Sequence, residues 1–251
     1  MKKYITVRFS SRSDRGRIRP GNEDALLADG ETGLFAVADG MGGHAAGEVA
    51  SRVAIEALRS AARIAPVETG PSASTSARKW LASSVEAANR AVYEAARADP
   101  RLGGMGTTLT ALYIRPPIAC YAHVGDSRMY RLRGGRLQQI TRDHTWVQEQ
   151  VDAGLLSPAQ AAVHPQRSVL TRAVGISDAV AVDSADLDVG PGDLFLLASD
   201  GLTGMLPDDQ IAAVLMNGTS LDGIADDLIR EANARGGVDN ITVVLVRLDP
   251  E

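Results

Sequence analysis

Short apolar segments bounded by polar and glycine-rich turns recur along the chain, and their length and alternation predict strands. Gly30 to Gly33 and the pair Gly134-Gly135 mark tight turns that predict hairpins. The predicted strands are Tyr4–Phe9, Ala25–Ala28, Leu34–Ala38, Thr107–Ile114, Ile118–Val124, Arg128–Arg133, Arg136–Ile140, Ala179–Ala185, Asp193–Ala198 and Ile241–Leu248.

Apolar residues at helical spacing fill two intervals between these strands and predict amphipathic helices. The predicted helices run from Gly47 to about Ala61, from Ser74 to Ala98, from Asp208 to Met216 and from Leu221 to Ala234. The segment Asp143–Ser168 has weak periodicity and several helix breakers, so we expect a flap with short helical pieces. Strand blocks with paired helices, and no regular alternation of the two, indicate an α+β fold of antiparallel sheets with helices layered on them. We expect one domain spanning residues 1-251, with a flap subdomain at about 143-168.

Composition narrows the class of protein. The 251 residues are 45% hydrophobic with a formal net charge of −5 and a pI of about 5.4, which argues against a basic surface for nucleic acid. No apolar run reaches the ~18 residues of a membrane span. Cys120 is the single cysteine and cannot form an internal disulfide. With no leader pattern before the first predicted strand, we expect a cytoplasmic protein.

The first stretch that suggests chemistry is Leu34–His44, where a buried strand ends in Asp39-Gly40 and a glycine-rich turn leads into a helix. A carboxylate at the tip of a strand, beside glycines that allow close approach, suits a metal or phosphate site. Asp and Gly are also the ordinary residues of turns. Taken alone, this stretch leaves a turn and a ligand site as equal alternatives.

Carboxylates recur at the ends of other predicted strands. They are Glu23, Asp24, Asp126, Asp200 and Asp239. If these strand ends meet, the packed carboxylates repel one another and require divalent cations. Oxygen ligands with few histidines and one cysteine favour Mg²⁺ or Mn²⁺ over Zn²⁺ or copper. Two such ions about 3.5–4 Å apart suit hydrolysis of a phosphate ester by a bridging water.

A set of short motifs, several of which contain these acids, follows along the chain. The motifs are Arg19-x-x-Asn22-Glu23-Asp24, Ala38-Asp39-Gly40-Met41-Gly42-Gly43-His44 with Gly47-Glu48, Gly106-Thr107-Thr108, Val124-Gly125-Asp126-Ser127-Arg128, Asp143-His144, Leu170-Thr171-Arg172-Ala173-Val174-Gly175, Ser199-Asp200-Gly201 and Asp239-Asn240-Ile241-Thr242. In this order the set resembles the metal-dependent protein phosphatases of the type-2C (PPM) Ser/Thr family, in its bacterial form. The match extends from near residue 19 to residue 243, essentially the whole domain.

The resemblance implies a four-layer α-β-β-α sandwich, with two antiparallel sheets face to face and helical hairpins outside. It implies two or three Mn²⁺ or Mg²⁺ ions as cofactors. The implied metal ligands are Glu23, Asp24, Asp39, the Gly40 carbonyl, Asp126, Asp200 and Asp239. Asp39 matches the carboxylate that bridges the two core metals, and Glu23 matches a ligand that acts through water. Asp126, with Asp200, matches a third and weaker metal position.

The resemblance also gives Arg19 the role of holding the substrate phosphate, which suits a guanidinium that can bond two phosphate oxygens. One position departs from the pattern of animal relatives, where a histidine proposed as general acid follows the Asp-Gly pair. Met41 occupies that position here, so the acid stays unassigned and His44 is only a candidate. We expect His123 to be a packed core residue, and His144 and His164 to be exposed in the flap.

The implied activity is hydrolysis of phosphoserine and phosphothreonine on proteins, opposing bacterial Ser/Thr kinases. The expected partners are therefore phosphorylated proteins, including such kinases, with no nucleic acid or membrane partner, and the expected state is a monomer. A dinucleotide site at Gly40-x-Gly42-x-x-Ala45 is rejected because no second parallel strand ending in an acid follows the helix. Two alternatives stay open: an inactive relative that binds phosphoproteins, which would be expected to lack a core carboxylate or Arg19, and a phosphatase of an anti-sigma pathway.

Overall fold

The computed structural model describes residues 5–42, 46–65 and 73–250 of the chain. Its strands are β1 (Ile5–Asp14), β2 (Asp24–Asp29), β3 (Leu34–Met41), β4 (Gly106–Thr107), β5 (Leu109–Arg115), β6 (Ile118–Val124), β7 (Arg128–Arg133), β8 (Arg136–Gln139), β9 (Asp183–Asp186), β10 (Leu194–Ala198) and β11 (Ile241–Pro250). Its helices are α1 (Ala46–Ala62), α2 (Ala73–Ala98), α3 (Trp146–Asp152), α4 (Pro158–Ala162), α5 (Asp200–Thr203), α6 (Asp208–Asn217) and α7 (Leu221–Ala234). Among the described residues, none of the helices combines the length and the apolarity needed to cross a membrane.

The strands form two antiparallel sheets. The first sheet has the order β1-β11-β10-β7-β8, and the second has the order β2-β3-β5-β6-β9, with the short β4 paired to β3. The chain passes between the sheets several times, for example from β6 to β7 and from β9 to β10. Residues at these crossings belong to neither sheet alone and can contact both.

Three buried clusters show how sheets and helices are layered. Along β3, alternate residues from Leu34 to Ala38 pack under α1 and α2, and the residues between them face the other sheet. Along β11, one set of alternate residues packs under α6 and α7, and the residues between them face β3 of the other sheet. Both faces of the central strands are covered, which explains their nearly continuous apolar sequences. The order helix, sheet, sheet, helix confirms the predicted four-layer α-β-β-α sandwich.

The predicted helices agree closely with those observed. The helix α7 has the predicted bounds, and α2 begins one residue before its prediction. The strong amphipathic pattern explains this agreement, because the apolar face of each helix is defined by its own sequence. On α2, the Trp80 ring packs edge-on against Tyr113 of β5, with 5.2 Å between ring centroids.

Most predicted strands differ from the observed ones by up to three residues at an end, and three are further from their predictions. β1 continues through Ser10 to Asp14 as a strand, because β11 pairs with every one of its residues. The predicted strand Thr107–Ile114 is interrupted at Thr108, which separates β4 from β5. β9 covers Asp183–Asp186 rather than Ala179–Ala185. In each case a partner distant in sequence decides the bounds.

The flap contains the two short helices predicted for it, α3 and α4. Thr145 caps α3 by accepting a hydrogen bond from the Gln148 backbone at 3.2 Å, and Ser157 and Gln160 cap α4 reciprocally. An isolated bridge between Thr145 and Leu170 closes the base of the flap. The flap is therefore a defined excursion whose two ends lie side by side.

Candidate metal centre

Asp24 and Asp39 stand directly opposite each other at the end of the β2–β3 hairpin. The hairpin register places both carboxylates at the same edge of the second sheet, and Glu23 immediately precedes Asp24. The Gly40 N–H donates to the Glu23 carbonyl at 3.1 Å, which keeps the segment before β2 close to the end of β3. Four of the predicted ligands, Gly40 included, are thus brought together by one hairpin.

Asp200 and Asp239 come from the first sheet. Asp200 follows β10 and begins α5, and Asp239 lies just before β11, the neighbour of β10. The Ser199 hydroxyl donates to Asp24 Oδ2 at 2.8 Å and joins the two sheets at this point. Asp126 occupies the turn where the chain crosses from β6 to β7. The predicted convergence of strand-end acids is therefore present, with contributions from both sheets.

The glycines after Asp39 and Asp200 are required by close backbone approach. A Cβ at Gly40 would lie 2.1 Å from the Gly47 carbonyl oxygen and 2.5 Å from that of Glu23. A Cβ at Gly201 would lie 1.9 Å from the Asn240 carbonyl oxygen. No side chain fits at either position, since these distances are far below van der Waals contact. The Asp-Gly pairs are consequently more than ordinary turn residues: they allow several chain segments to meet.

Burial and mutual repulsion raise the pKa values of the acids. Loss of hydration raises the pKa of Asp24 to about 7 and that of Asp126 to about 8, and the charge of Asp200 adds to both shifts. Burial also raises the pKa of Asp39 well above the usual range, with further contributions from Asp24, Asp200 and Asp126. The Asp200 pKa is raised by burial and then by the charge of Asp239. The charges of these acids thus affect one another's pKa values, as expected for members of one site.

The donor set of this cluster fits a hard divalent cation. Asp24 Oδ1 is buried and has no hydrogen-bond partner, so it is an acceptor with unused capacity. The surrounding ligands are carboxylate oxygens, which Mg²⁺ and Mn²⁺ prefer. Among the described residues, no group of three or more His, Cys, Asp and Glu side chains is arranged to hold a metal ion.

Arg19 lies at the exposed rim of the cluster. Its Nη2 donates to Asp239 Oδ2 at 2.7 Å, and 47% of its side chain is accessible to solvent. Asn240 fixes the segment that carries it: its side-chain amide donates to the carbonyls of Arg15 and Gly21, and its Oδ1 accepts from the Glu23 N–H at 2.8 Å. Arg19 is thus held beside the acids with much of its guanidinium free.

His44, the candidate residue of the glycine-rich turn, lies outside the described residues. Met41, which occupies the position of the histidine in animal relatives, ends β3 and is half-buried. His123 is fully buried, as predicted, and bonds Thr110 and the Arg142 carbonyl.

The expectation that His144 is exposed is wrong. Only 2% of the residue is accessible, because it turns inward at the base of the flap. Its Nδ1 accepts from the Gly125 N–H at 3.0 Å, and its backbone N–H donates to the Gly125 carbonyl at 2.8 Å. Asp183 bonds both His144 and Arg172, so the entering and leaving ends of the flap share one partner.

Sequence reasoning did not assign a role to several polar residues that support the acids. They are Thr108, Ser127, Arg128, Asp143, His144 and Ser199. Arg128 and Asp143 form a two-pronged ion pair beside Asp126, with Nη2–Oδ2 at 2.7 Å. All six lie within the short motifs noted in the sequence, so the motifs were the available signal.

The chain is similar to a known family of proteins over most of its length. A family model described as Protein phosphatase 2C matches residues 19–236. Protein phosphatase PhpP of Streptococcus pneumoniae is 37% identical over 249 residues, which cover 98% of this chain and 99% of that protein.

Solved structures are similar as well. The Mycobacterium tuberculosis serine/threonine phosphatase PstP/Ppp superposes with a TM-score of 0.88 at 40% identity, covering 98% of this chain and 100% of that chain. A structure of the catalytic domain of PstP in complex with two manganese ions gives a TM-score of 0.84 at 38% identity, covering 98% and 100%.

Proposed function

The chain belongs to the protein phosphatase 2C family, and from that membership we propose that it is a metal-dependent protein phosphatase that hydrolyses phosphoserine and phosphothreonine. The observation that carries the proposal is the cluster of mutually perturbed acids where the two sheets meet, with an Asp24 oxygen that has no partner. Mn²⁺ or Mg²⁺ is the cofactor, consistent with the donor set and with the manganese in the related PstP structure.

The proposed ligands for two core ions are Asp24, Asp39, the Gly40 carbonyl, Asp200 and Asp239, with Glu23 acting through water and Asp126 at a third position. When bound, such ions lower the pKa of a water molecule and neutralise phosphoryl oxygens. Asp39 has the central place among the acids, because the charges of Asp24, Asp200 and Asp126 all act on its pKa. This supports its role as the bridging carboxylate.

Arg19 is proposed to bind the phosphate of the substrate. Its exposed guanidinium keeps donors free beyond the one bonded to Asp239, and a planar fork matches two phosphate oxygens. The bond to Asp239 places these donors beside the acids. Arg19 thus orients the phosphoryl group toward the cluster and compensates its charge.

The substrates are phosphorylated proteins. We extend the proposal to Ser/Thr kinases, from whose phosphorylated activation loops this enzyme would remove the phosphate. We further propose a single catalytic domain over residues 1-251 with the flap at 143-168, acting as a monomer in the cytoplasm. An inactive relative is disfavoured, since Arg19 and each proposed carboxylate are present.

The test of this function compares the wild-type protein with Asp39→Asn on a phosphothreonine peptide and on p-nitrophenyl phosphate. We expect wild-type turnover with Mn²⁺ or Mg²⁺ and none with EDTA. Asp39→Asn should lower kcat by roughly a thousandfold or more, because several kcal/mol of charge stabilisation depend on the bridging carboxylate. Circular dichroism checks that the variant is folded. Metal-independent turnover, or an undiminished rate in the variant, would contradict the proposal.

A further inference from the structure

Thr108 holds both backbone groups of Asp39. It lies between β4 and β5 and is 2% accessible. Its N–H donates to the Asp39 carbonyl at 2.9 Å, and its Oγ1 accepts from the Asp39 N–H at 2.9 Å. The predicted strand is thus interrupted at the residue that makes two hydrogen bonds to the backbone of Asp39.

The same Thr108 side chain contacts the turn that carries Asp126. Its Oγ1 lies 2.7 Å from Ser127 Oγ, and Ser127, which directly follows Asp126, is fully buried. Gly125, which precedes Asp126, has a φ of +110°, and a Cβ there would lie 2.6 Å from the Cβ and Cγ2 of Thr108. Thr108 therefore fills the space between the end of β3 and the β6–β7 turn.

A second set of contacts holds the β6–β7 turn independently of Thr108. His144 bonds both backbone groups of Gly125, and the Thr110 hydroxyl donates to the Ser127 carbonyl at 2.9 Å. The turn therefore has enough support to form when the Thr108 hydroxyl is removed. What that hydroxyl adds is the connection to Asp39.

We infer that Thr108 is a positioning residue that fixes the spacing between Asp39 and Asp126, and with it the affinity of the site for the ion nearest Asp126. The inference rests on the proposed function, because it takes both acids as metal ligands. Its physical basis is that one buried hydroxyl bonds the backbone of the first acid and the residue after the second. Removing a residue that hydrogen-bonds a metal ligand commonly lowers metal affinity about 10- to 100-fold.

The experiment uses Thr108→Val, which keeps the shape but removes the hydroxyl, and Thr108→Ser, which keeps the hydroxyl. Ser127→Ala removes the other end of the link, and the double variant completes a cycle. Ser84→Ala is the matched control, because Ser84 is a buried hydroxyl on α2 that bonds only the Trp80 carbonyl within the described contacts. Mn²⁺ binding to metal-free protein is measured by calorimetry and by electron paramagnetic resonance.

We expect Thr108→Val to weaken the weakest Mn²⁺ site at least about tenfold and to lower kcat more than it changes KM. Thr108→Ser should restore affinity to within about threefold, and Ser84→Ala should bind as the wild type does. Ser127→Ala should weaken the same site, with losses that do not add in the double variant. If Thr108→Val fails to fold, Ser127→Ala still tests the link.

Unchanged Mn²⁺ affinity in folded Thr108→Val or in Ser127→Ala would overturn the inference, as would fully additive losses in the double variant. A wild-type protein that binds no Mn²⁺ would instead refute the proposed function. A lower melting temperature with unchanged Mn²⁺ affinity would mark Thr108 as structural only. A failure of the inference and a failure of the proposed function are therefore distinguishable, because the wild-type protein still binds Mn²⁺ in the first case and does not in the second.

Discussion

The two oxygens of the Asp24 carboxylate have different surroundings, and the difference explains how one residue can serve both fold and site. Oδ2 accepts the Ser199 hydroxyl across the two sheets, while the buried Oδ1 has no partner. Burial raises the pKa of Asp24 to about 7, so the carboxyl is poised to lose its proton near neutrality. A cation that binds there competes with that proton rather than with a fixed ion pair.

The raised pKa values predict how the metal-free protein responds to pH. The folded state holds protons on Asp24 and Asp126 up to about pH 7 and 8, whereas the unfolded chain releases them near pH 4. The folded state therefore binds more protons between these values, so the free energy of unfolding falls as pH rises from about 4 to 8. Asp126→Asn should reduce this fall by at least about 1 kcal/mol, because it removes one such group.

The measurement is urea denaturation in EDTA at several pH values between 5 and 8.5. Asp209→Asn is a suitable control, because this acid is exposed on α6. Parallel pH profiles for the wild type and Asp126→Asn would show that Asp126 ionises normally in the folded protein.

At the scale of elements, sequence patterns predict the helices and central strands but not elements that depend on a distant partner. β1 runs through five polar or charged residues after Phe9, since β11 offers hydrogen-bond partners at every position and an edge strand tolerates polar side chains. The segment predicted as the start of β9 is bonded elsewhere: Arg172 donates to the Ala181 carbonyl. Periodicity contains no information about such partners.

The contact between α2 and the segment after the flap gives a prediction at this scale. Asn89 Oδ1 accepts from the Gly175 N–H at 2.7 Å, and its Nδ2 donates to the Ser177 carbonyl at 3.0 Å. Asn89→Ala leaves the buried Gly175 N–H without its partner, and we expect a loss of roughly 1–3 kcal/mol in the free energy of unfolding. Urea denaturation measures this loss, with the exposed Glu86→Ala on the same helix as control. Equal stabilities of the two variants would contradict the prediction.

At the scale of the whole molecule, the sequence predicts that strand-end acids converge, but not which sheet supplies each. Asp24 and Asp39 belong to the second sheet, while Asp200 and Asp239 border strands of the first. His144 was expected to be exposed because it lies in the flap segment; its burial depends on Gly125 and Asp183, which only the fold brings near. The motifs predict the convergence of the acids, whereas the topology decides how the acids are divided between the two sheets.

This division predicts that a bound cation links the two sheets and stabilises the fold. A ligand that binds only the folded state at 100 times its Kd adds about 2.7 kcal/mol, which for a chain of this length corresponds to a melting-temperature increase of roughly 5–10 °C. We expect that increase on adding Mn²⁺ to the wild-type protein. Asp200→Asn should lose most of it, because the first sheet then loses a ligand.

The effect of Asp200→Asn on the melting temperature should differ in EDTA, where no cation is bound. Burial and the charge of Asp239 both raise the pKa of Asp200, so its negative charge is unfavourable in the metal-free protein. Asp200→Asn should therefore melt no lower than the wild type in EDTA, yet clearly lower in Mn²⁺. A variant that is merely damaged would melt lower in both conditions, and Asp209→Asn should follow the wild type in both. If Asp200→Asn keeps the full Mn²⁺-dependent increase, the cation does not depend on the first sheet through this residue.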